Sequence, residues 1–133
     1  MTEKFKNSTG FQIIKKWMDE KDREPFGFQS ETWFKFSNNY SGMVIAPTGF
    51  GKTFSVFLAV VIDYMNHPEN YKPGMKLLWI TPLRALAKDI AKAMSDALEE
   101  IGLDWEVAVR NGDTPTAVRA KQTRKMPDIL IIT

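Results

Sequence analysis

Eight residues, Ala46-Pro47-Thr48-Gly49-Phe50-Gly51-Lys52-Thr53, constrain this chain more than any other stretch. An apolar run, Met43-Val44-Ile45-Ala46, leads into them, and Phe54 and Val56 to Ile62 follow. The pattern is that of a phosphate-binding loop, with Ala46 in the first position where glycine is more usual. Gly49 and Gly51 let the backbone turn tightly, so that successive N–H groups point at one anion. Lys52 then reaches the β- and γ-phosphates, and the Thr53 hydroxyl can sit on Mg²⁺. A helix beginning near Gly51 adds its positive end to the same spot. A glycine-rich turn before an ordinary helix would share some of these residues. The flanking strand and helix, however, are the context that a phosphate loop requires, and we read a nucleoside triphosphate site.

A chain of 133 residues is long enough to bury one small core. Its 44% hydrophobic and 26% charged residues are ordinary for a globular domain. No stretch approaches the ~18 uninterrupted apolar residues of a membrane span. The start, Met1-Thr2-Glu3-Lys4, lacks the apolar centre of a secretory signal, so a cytoplasmic location is expected, with no membrane partner. With no cysteine and one histidine, disulfides, thiol chemistry and a structural zinc site are excluded. The net charge of +2 does not by itself argue for nucleic acid, so any basic surface must come from local clustering.

Along the chain, helical and strand-like patterns alternate. Phe11, Ile13, Ile14, Trp17 and Met18 recur at helical spacing from Ser8 to about Asp22, and Ser8-Thr9 suits an N-cap. A second short helix is expected from about Gln29 to Ser37, then turn chemistry over Asn38 to Gly42. Met43 to Ala46 reads as a buried strand, and the helix after the loop is apolar nearly all round, as in one packed beneath a sheet. Lys76 to Thr81 is the next strand. A helix carrying Leu83, Leu86, Ile90, Met94, Ala97 and Ile101 follows, and Gly102 stops it. Trp105 to Arg110 alternates like a strand, and Asp113 or Thr114 is expected to cap a helix with Pro115 in its first position. Asp128 to Thr133 is again a strand. Such alternation predicts an α/β fold with a mostly parallel sheet and helices on both faces. Trp33, Trp79 and Trp105 are read as packing residues and His67 as solvated. Because a parallel strand needs a crossover and a further neighbour, the stop at Thr133 is expected to mark the N-terminal piece of a longer protein.

Two further stretches bear on chemistry. Thr81-Pro82-Leu83-Arg84-Ala85-Leu86-Ala87 lies where a strand turns into a helix. With Pro82 in the first helical turn, free N–H groups and the Thr81 hydroxyl would face outward at the sheet's C-terminal edge. Such a terminus can hold a backbone phosphate, and it is equally a well-capped helix start. Asn111-Gly112-Asp113-Thr114 occupies the same edge of the next unit, before a helix carrying Arg119, Lys121, Arg124 and Lys125. Four cations in a run are often only a solvated face. Beside two phosphate-suited helix starts they favour a nucleic-acid backbone.

Ala46 to Thr53, Thr81 to Ala87 and Gly112-Asp113-Thr114 resemble motifs I, Ia and Ib of superfamily-two helicases. Within that group the chain is most similar to the large helicase-related (Lhr-like) enzymes, particularly the ligase-associated DEXH-box helicases of bacterial DNA repair. The resemblance runs from about Phe26 to Thr133 and implies a RecA-like, three-layer P-loop fold. It also implies an adenine-reading glutamine upstream of the loop. Gln29, in Pro25-Phe26-Gly27-Phe28-Gln29, fits that place, 23 residues before Lys52. An amide both donates and accepts, which matches adenine. Phe26 or Trp17 could stack on the ring.

The resemblance further implies ATP and Mg²⁺ as cofactors, held by Phe26, Gln29, Thr48, Gly49, Phe50, Gly51, Lys52, Thr53 and Phe54. Lys52 and Thr53 would be the catalytic residues, with Thr53 the Mg²⁺ ligand. Thr81, Pro82, Leu83, Arg84, Gly112, Asp113, Thr114 and Arg119 would grip a nucleic-acid strand, DNA rather than RNA, without reading its sequence. Residues 1–40 would form a helical segment bearing the glutamine motif. Residues 41–133 would form the first part of RecA-like domain 1, cut short before the D-E-x-H box at a Thr133 that looks like the start of a T-P-E-S stretch. The partners implied are the rest of the polypeptide, including a second RecA-like domain, and a DNA ligase and nuclease. This piece alone would bind ATP without efficient hydrolysis. A small-molecule kinase leaves Thr81 to Ala87 unexplained. A DNA translocase or restriction-type motor, and a non-hydrolysing nucleic-acid-binding module, are the remaining alternatives.

Overall fold

The structure is a computed structural model that describes residues 1–47 and 50–133. Thr48 and Gly49 of the phosphate loop, and the side chain of Phe50, lie outside the described residues. The chain divides into two compact units, Met1–Tyr71 and Lys72–Thr133.

The first unit is helical. Its opening turn, α1 (Glu3–Lys6), is capped by the Thr2 hydroxyl, which accepts from the Phe5 N–H. Four residues show no periodicity, so this turn is invisible in the hydrophobic pattern. In α2 (Thr9–Asp19) the expected Ser8 cap forms, its Oγ accepting from the Phe11 N–H. Phe11, Ile14 and Met18 make its buried stripe. The third helix, α3 (Gly27–Ser37), buries Gln29 and Trp33, and α4 (Phe50–Asn66) runs on from the loop. The six residues Phe57 to Ile62 are buried on every side of α4, as its uninterrupted apolar run requires. Helices α2 and α3 pack against it. Edge-to-face contacts of Phe5 with Phe11 and Phe34, and of Phe11 with Trp33, join the four aromatic rings.

Gly10 sets how closely α2 approaches α4. Its N–H donates to Asn66 Oδ1 at 2.7 Å, and a Cβ at this position would lie 2.5 Å from the Ile62 carbonyl oxygen. Alanine raises helix propensity by up to about 1 kcal/mol over glycine. A backbone clash of this depth forces the helices apart, at about 1–3 kcal/mol. Gly10→Ala is therefore expected to destabilise by about 1–2 kcal/mol net in urea unfolding. Gly27→Ala, where a Cβ meets nothing within 4 Å, is expected to be neutral or better. Equal midpoints for the two variants would refute this account of the α2–α4 contact.

The strand expected over residues 43–46 is not formed. These residues run without regular structure, with Met43 83% and Ile45 84% exposed. A strand exists only through the ladder of a neighbour, and the described residues of the first unit contain no other strand.

The second unit holds three strands, β1 (Leu77–Ile80), β2 (Val107–Arg110) and β3 (Ile129–Ile132), in the order β1-β3-β2 and all parallel. The middle strand, Ile-Leu-Ile-Ile, is the most apolar and the most buried, as a parallel sheet demands of its centre. Helix α5 (Arg84–Ile101) links β1 to β2, and α6 (Thr116–Arg124) links β2 to β3. Gly102, at φ +93°, ends α5 as expected. At the N-terminal edge of the sheet, Asp128 ties all three strands. Its Oδ1 lies 2.6 Å from Lys76 Nζ, its Oδ2 accepts from the Glu106 N–H, and its carbonyl accepts from the N–H groups of Lys76 and Leu77.

Two helix starts differ from expectation. Leu83 is the N-cap of α5, so Pro82 precedes the helix and does not sit in its first turn. The buried face is consequently Ala87, Met94, Ala97 and Leu98, with Leu83 and Leu86 exposed. Likewise Pro115, at ψ 148°, is the N-cap of α6 and not its first residue. No side chain caps α6, and the Thr114 hydroxyl accepts instead from the Asn111 N–H behind it. No helix among the described residues is long and apolar enough to cross a membrane.

Candidate functional site

In the first unit the residues picked out for a nucleotide gather around Gln29. Its side chain is only 4% exposed, yet both ends of the amide are bonded. Oε1 accepts from the Phe26 N–H at 2.9 Å, and Nε2 donates to the Gly51 carbonyl at 3.0 Å. The first bond ties down an orphan donor at the start of α3. The second fastens that helix to the first turn of α4, where Lys52 and Thr53 stand. An amide has two acceptor positions and two N–H groups, and these two bonds to described residues use one of each.

Gly51 is closely surrounded, so that a side chain there would press on the Phe28 ring. A Cβ there would lie 3.3 Å from the Phe28 ring and 3.7 Å from Gln29 Nε2. Within the first turn, the Ser55 hydroxyl donates to the Lys52 carbonyl at 2.6 Å. A pocket of about 610 Å³ opens beside Gln29, walled by Trp17, Phe26, Gly51 and Phe54 and rimmed by residues 21–24. Trp17 meets Phe54 at 6.1 Å with Lys21 above its ring, while Phe26 stacks parallel on Phe28 at 5.8 Å. Both candidate stacking residues thus border the pocket. Phe50 opens α4, and Phe54 packs edge-on against Phe57. The expectations for Thr48 and Gly49 fall outside the described residues.

In the second unit, Thr81 and Asn111 lie just past the C-terminal ends of β1 and β2, on one edge of the parallel sheet. Thr81 is buried, its N–H donating to the Ile132 carbonyl. Pro82, Leu83 and Arg84 are exposed, and no side chain caps α5. Arg84 crosses to the next turn. Its Nη1 donates to Asp113 Oδ2 at 2.7 Å, and its guanidinium lies on Gly112, where a Cβ would be 2.6 Å from Nη2.

The turn from Asn111 to Thr114 is internally bonded. Asn111 Oδ1 accepts from the Asp113 N–H, and the Asn111 carbonyl accepts from the Thr114 N–H. Arg119 donates to the carbonyls of Thr114 and Asn111 at 3.1 and 2.6 Å, so it clamps the turn from inside. From the sequence Arg119 is expected among the residues that would grip a strand, and Asn111 only as part of the turn before α6, with no bonding role of its own. The Asn-Gly pair was the available signal, since asparagine commonly bonds the backbone two residues on.

The DEAD/DEAH box helicase family model matches residues 26–133. The Lhr helicase/uracil glycosylase of Escherichia coli strain K12 is 31% identical over 88% of this chain, which spans 9% of that protein. The ATP-dependent helicase Lhr-Core of Methanothermobacter thermautotrophicus is 30% identical over 91% of the chain, here 16% of the relative's length. Among solved structures, the Mycobacterium smegmatis helicase Lhr bound to ssDNA and AMP-PNP superposes with a TM-score of 0.73 at 30% identity. That match covers 91% of this chain and 16% of the other.

Proposed function

The chain belongs to the DEAD/DEAH box helicase family, and we propose that it is the ATP-gripping part of an ATP-dependent helicase that moves along nucleic acid. On this reading residues 1–40 carry the base-reading glutamine, and residues 41–133 begin a RecA-like motor domain. The observation that carries the proposal is the bridge from Gln29 to Gly51. It fastens a base-reading amide to the turn that bears Lys52 and Thr53, beside an aromatic-walled pocket.

Phe26 or Trp17 would stack on adenine, and Gln29 would read its edge. Lys52 would neutralise charge on the β- and γ-phosphates, and Thr53 would hold Mg²⁺, with Thr48, Gly49, Phe50, Gly51 and Phe54 completing the cradle. Bound ATP supplies the phosphoryl transfer to water that powers movement. In such a helicase the acidic groups for that step would be those of a D-E-x-H box, a sequence that does not occur in these 133 residues. Arg84, Gly112 and Thr114 would face the strand backbone, with Thr81, Pro82, Leu83, Asp113 and Arg119 shaping the grip. The ssDNA and AMP-PNP bound by the related M. smegmatis protein support DNA as the strand and ATP as the fuel. A role in repair beside a ligase and nuclease extends the resemblance to ligase-associated enzymes.

Calorimetry with Mg·ATP and Mg·GTP tests the base-reading part. A bidentate base contact contributes about 1–3 kcal/mol of discrimination, so ATP is expected to bind about tenfold or more tighter than GTP. Gln29→Ala should abolish that preference while leaving GTP binding nearly intact. Equal affinity for the two nucleotides in the unmodified chain would defeat the assignment of Gln29.

A further inference from the structure

Resting on the reading of the β2–α6 turn as a backbone grip, we infer that Asp113 is a release carboxylate. It occupies Arg84 in the strand-free state and gives it up to a nucleic-acid phosphate. The Arg84–Asp113 contact of 2.7 Å joins the start of α5 to the turn after β2, the two places expected to meet a strand. A carboxylate and a phosphate offer arginine the same two-oxygen edge, so one can replace the other without moving the guanidinium far. Gly112 makes room for that flat group by having no Cβ.

Two observations separate this contact from a structural ion pair. First, the turn does not depend on it. The bonds that shape residues 111–114 come from Asn111 Oδ1, the Asn111 carbonyl, Thr114 Oγ1 and Arg119, and the Asp113 carboxylate takes part in none of them. Second, the pair is exposed, at 56% for Arg84 and 78% for Asp113, so it is weakly held and exchanges readily with a competing anion. Arg119 is the opposite case, half-buried and bonded to two carbonyls, and could leave only by opening the turn. Arg84 is thus the exchangeable cation and Arg119 the fixed one. A groove of about 490 Å³ beside them is lined by Arg84, Lys88, Asn111, Asp113 and Thr114. A phosphate entering it meets two cations and one carboxylate ready to take Arg84 back. Binding becomes an exchange of anions, which keeps the grip weak enough for a motor to let go.

The test is anisotropy of a fluorescein-labelled oligodeoxythymidylate with the full chain, titrated across salt. Asp113→Asn is expected to tighten binding about 3- to 10-fold at low salt with little change in the slope of log K against log [salt], because Arg84 meets the same phosphate in both proteins and only its release from the carboxylate is spared. Arg84→Gln should weaken binding, and adding Asp113→Asn to it should restore nothing. Asp113→Ser, with circular dichroism and melting as folding controls, should reproduce the gain. A gain that persists without Arg84 would reduce Asp113 to a general charge effect and overturn the inference. So would the absence of any gain when Arg84→Gln does weaken binding. If Arg84→Gln and Asp113→Asn both leave binding unchanged, the strand-grip reading itself fails.

Discussion

Lys52→Ala should weaken Mg·ATP binding about 10- to 100-fold by calorimetry, because hydrogen bonds from a charged donor contribute about 1.5–3 kcal/mol. The expectation rests on where Lys52 stands, in the first turn of a helix of 17 residues, where the helix's positive end and the ammonium would act on one anion. Removing the ammonium leaves the dipole and the backbone N–H groups, so weak binding should persist. The loss should be uniform across adenine and guanine nucleotides, since on the proposed reading the lysine would meet phosphate and not base. That sets it apart from Gln29→Ala, which should act on ATP alone. Mg·ATP affinity unchanged by Lys52→Ala would remove the phosphate loop from the proposal.

The second large effect concerns folding. Asp128→Ala should destabilise the sheet-bearing unit by about 3 kcal/mol, the scale for removing one partner of a buried ion pair. The side chains of Lys76 and Asp128 are only 11% and 23% exposed, so the surviving ammonium would be left poorly solvated. The Glu106 N–H would lose its acceptor as well. Asp128→Asn keeps an acceptor for that N–H and should cost less. The double change Lys76→Met with Asp128→Asn should recover part of the loss, because it removes the stranded charge. Lys92–Asp96 is the control. Both side chains are more than half exposed, and Asp96→Ala should change stability by under about 1 kcal/mol. Urea unfolding that finds Asp128→Ala no worse than Asp96→Ala would dismiss the three-strand tie.

Helix α2 shows what patterning reveals. Ser8 and the spacing of Phe11, Ile14 and Met18 specify a start and a buried face by local rules, and the structure follows them. Gly102 stops α5 for the same kind of reason. Residues 43–46 show the limit, since an apolar run states a preference for burial but cannot supply a neighbouring ladder. The starts of α5 and α6 differ from expectation because a helix start depends on the bonds of the preceding turn. At Pro115 that turn is Asn111 to Thr114, closed on itself.

The candidate site divides along the same line. Lys52, Thr53 and Arg84 stand out as candidates because phosphate loops and strand-to-helix turns are local in sequence, whereas Gln29 is a candidate only through the family resemblance. How those side chains are engaged is not legible in this way. Gln29 is bonded to Gly51, 22 residues away, Arg84 to Asp113, 29 residues away, and Lys76 to Asp128, 52 residues away. The sequence by itself determined which donors, charges and helix ends this protein carries, since residue type and short spacing fix them. Only the tertiary structure decided which of those groups are buried, which are exposed and which partners they bond. Contacts across such separations depend on chain closure around a common core, and no local pattern encodes them.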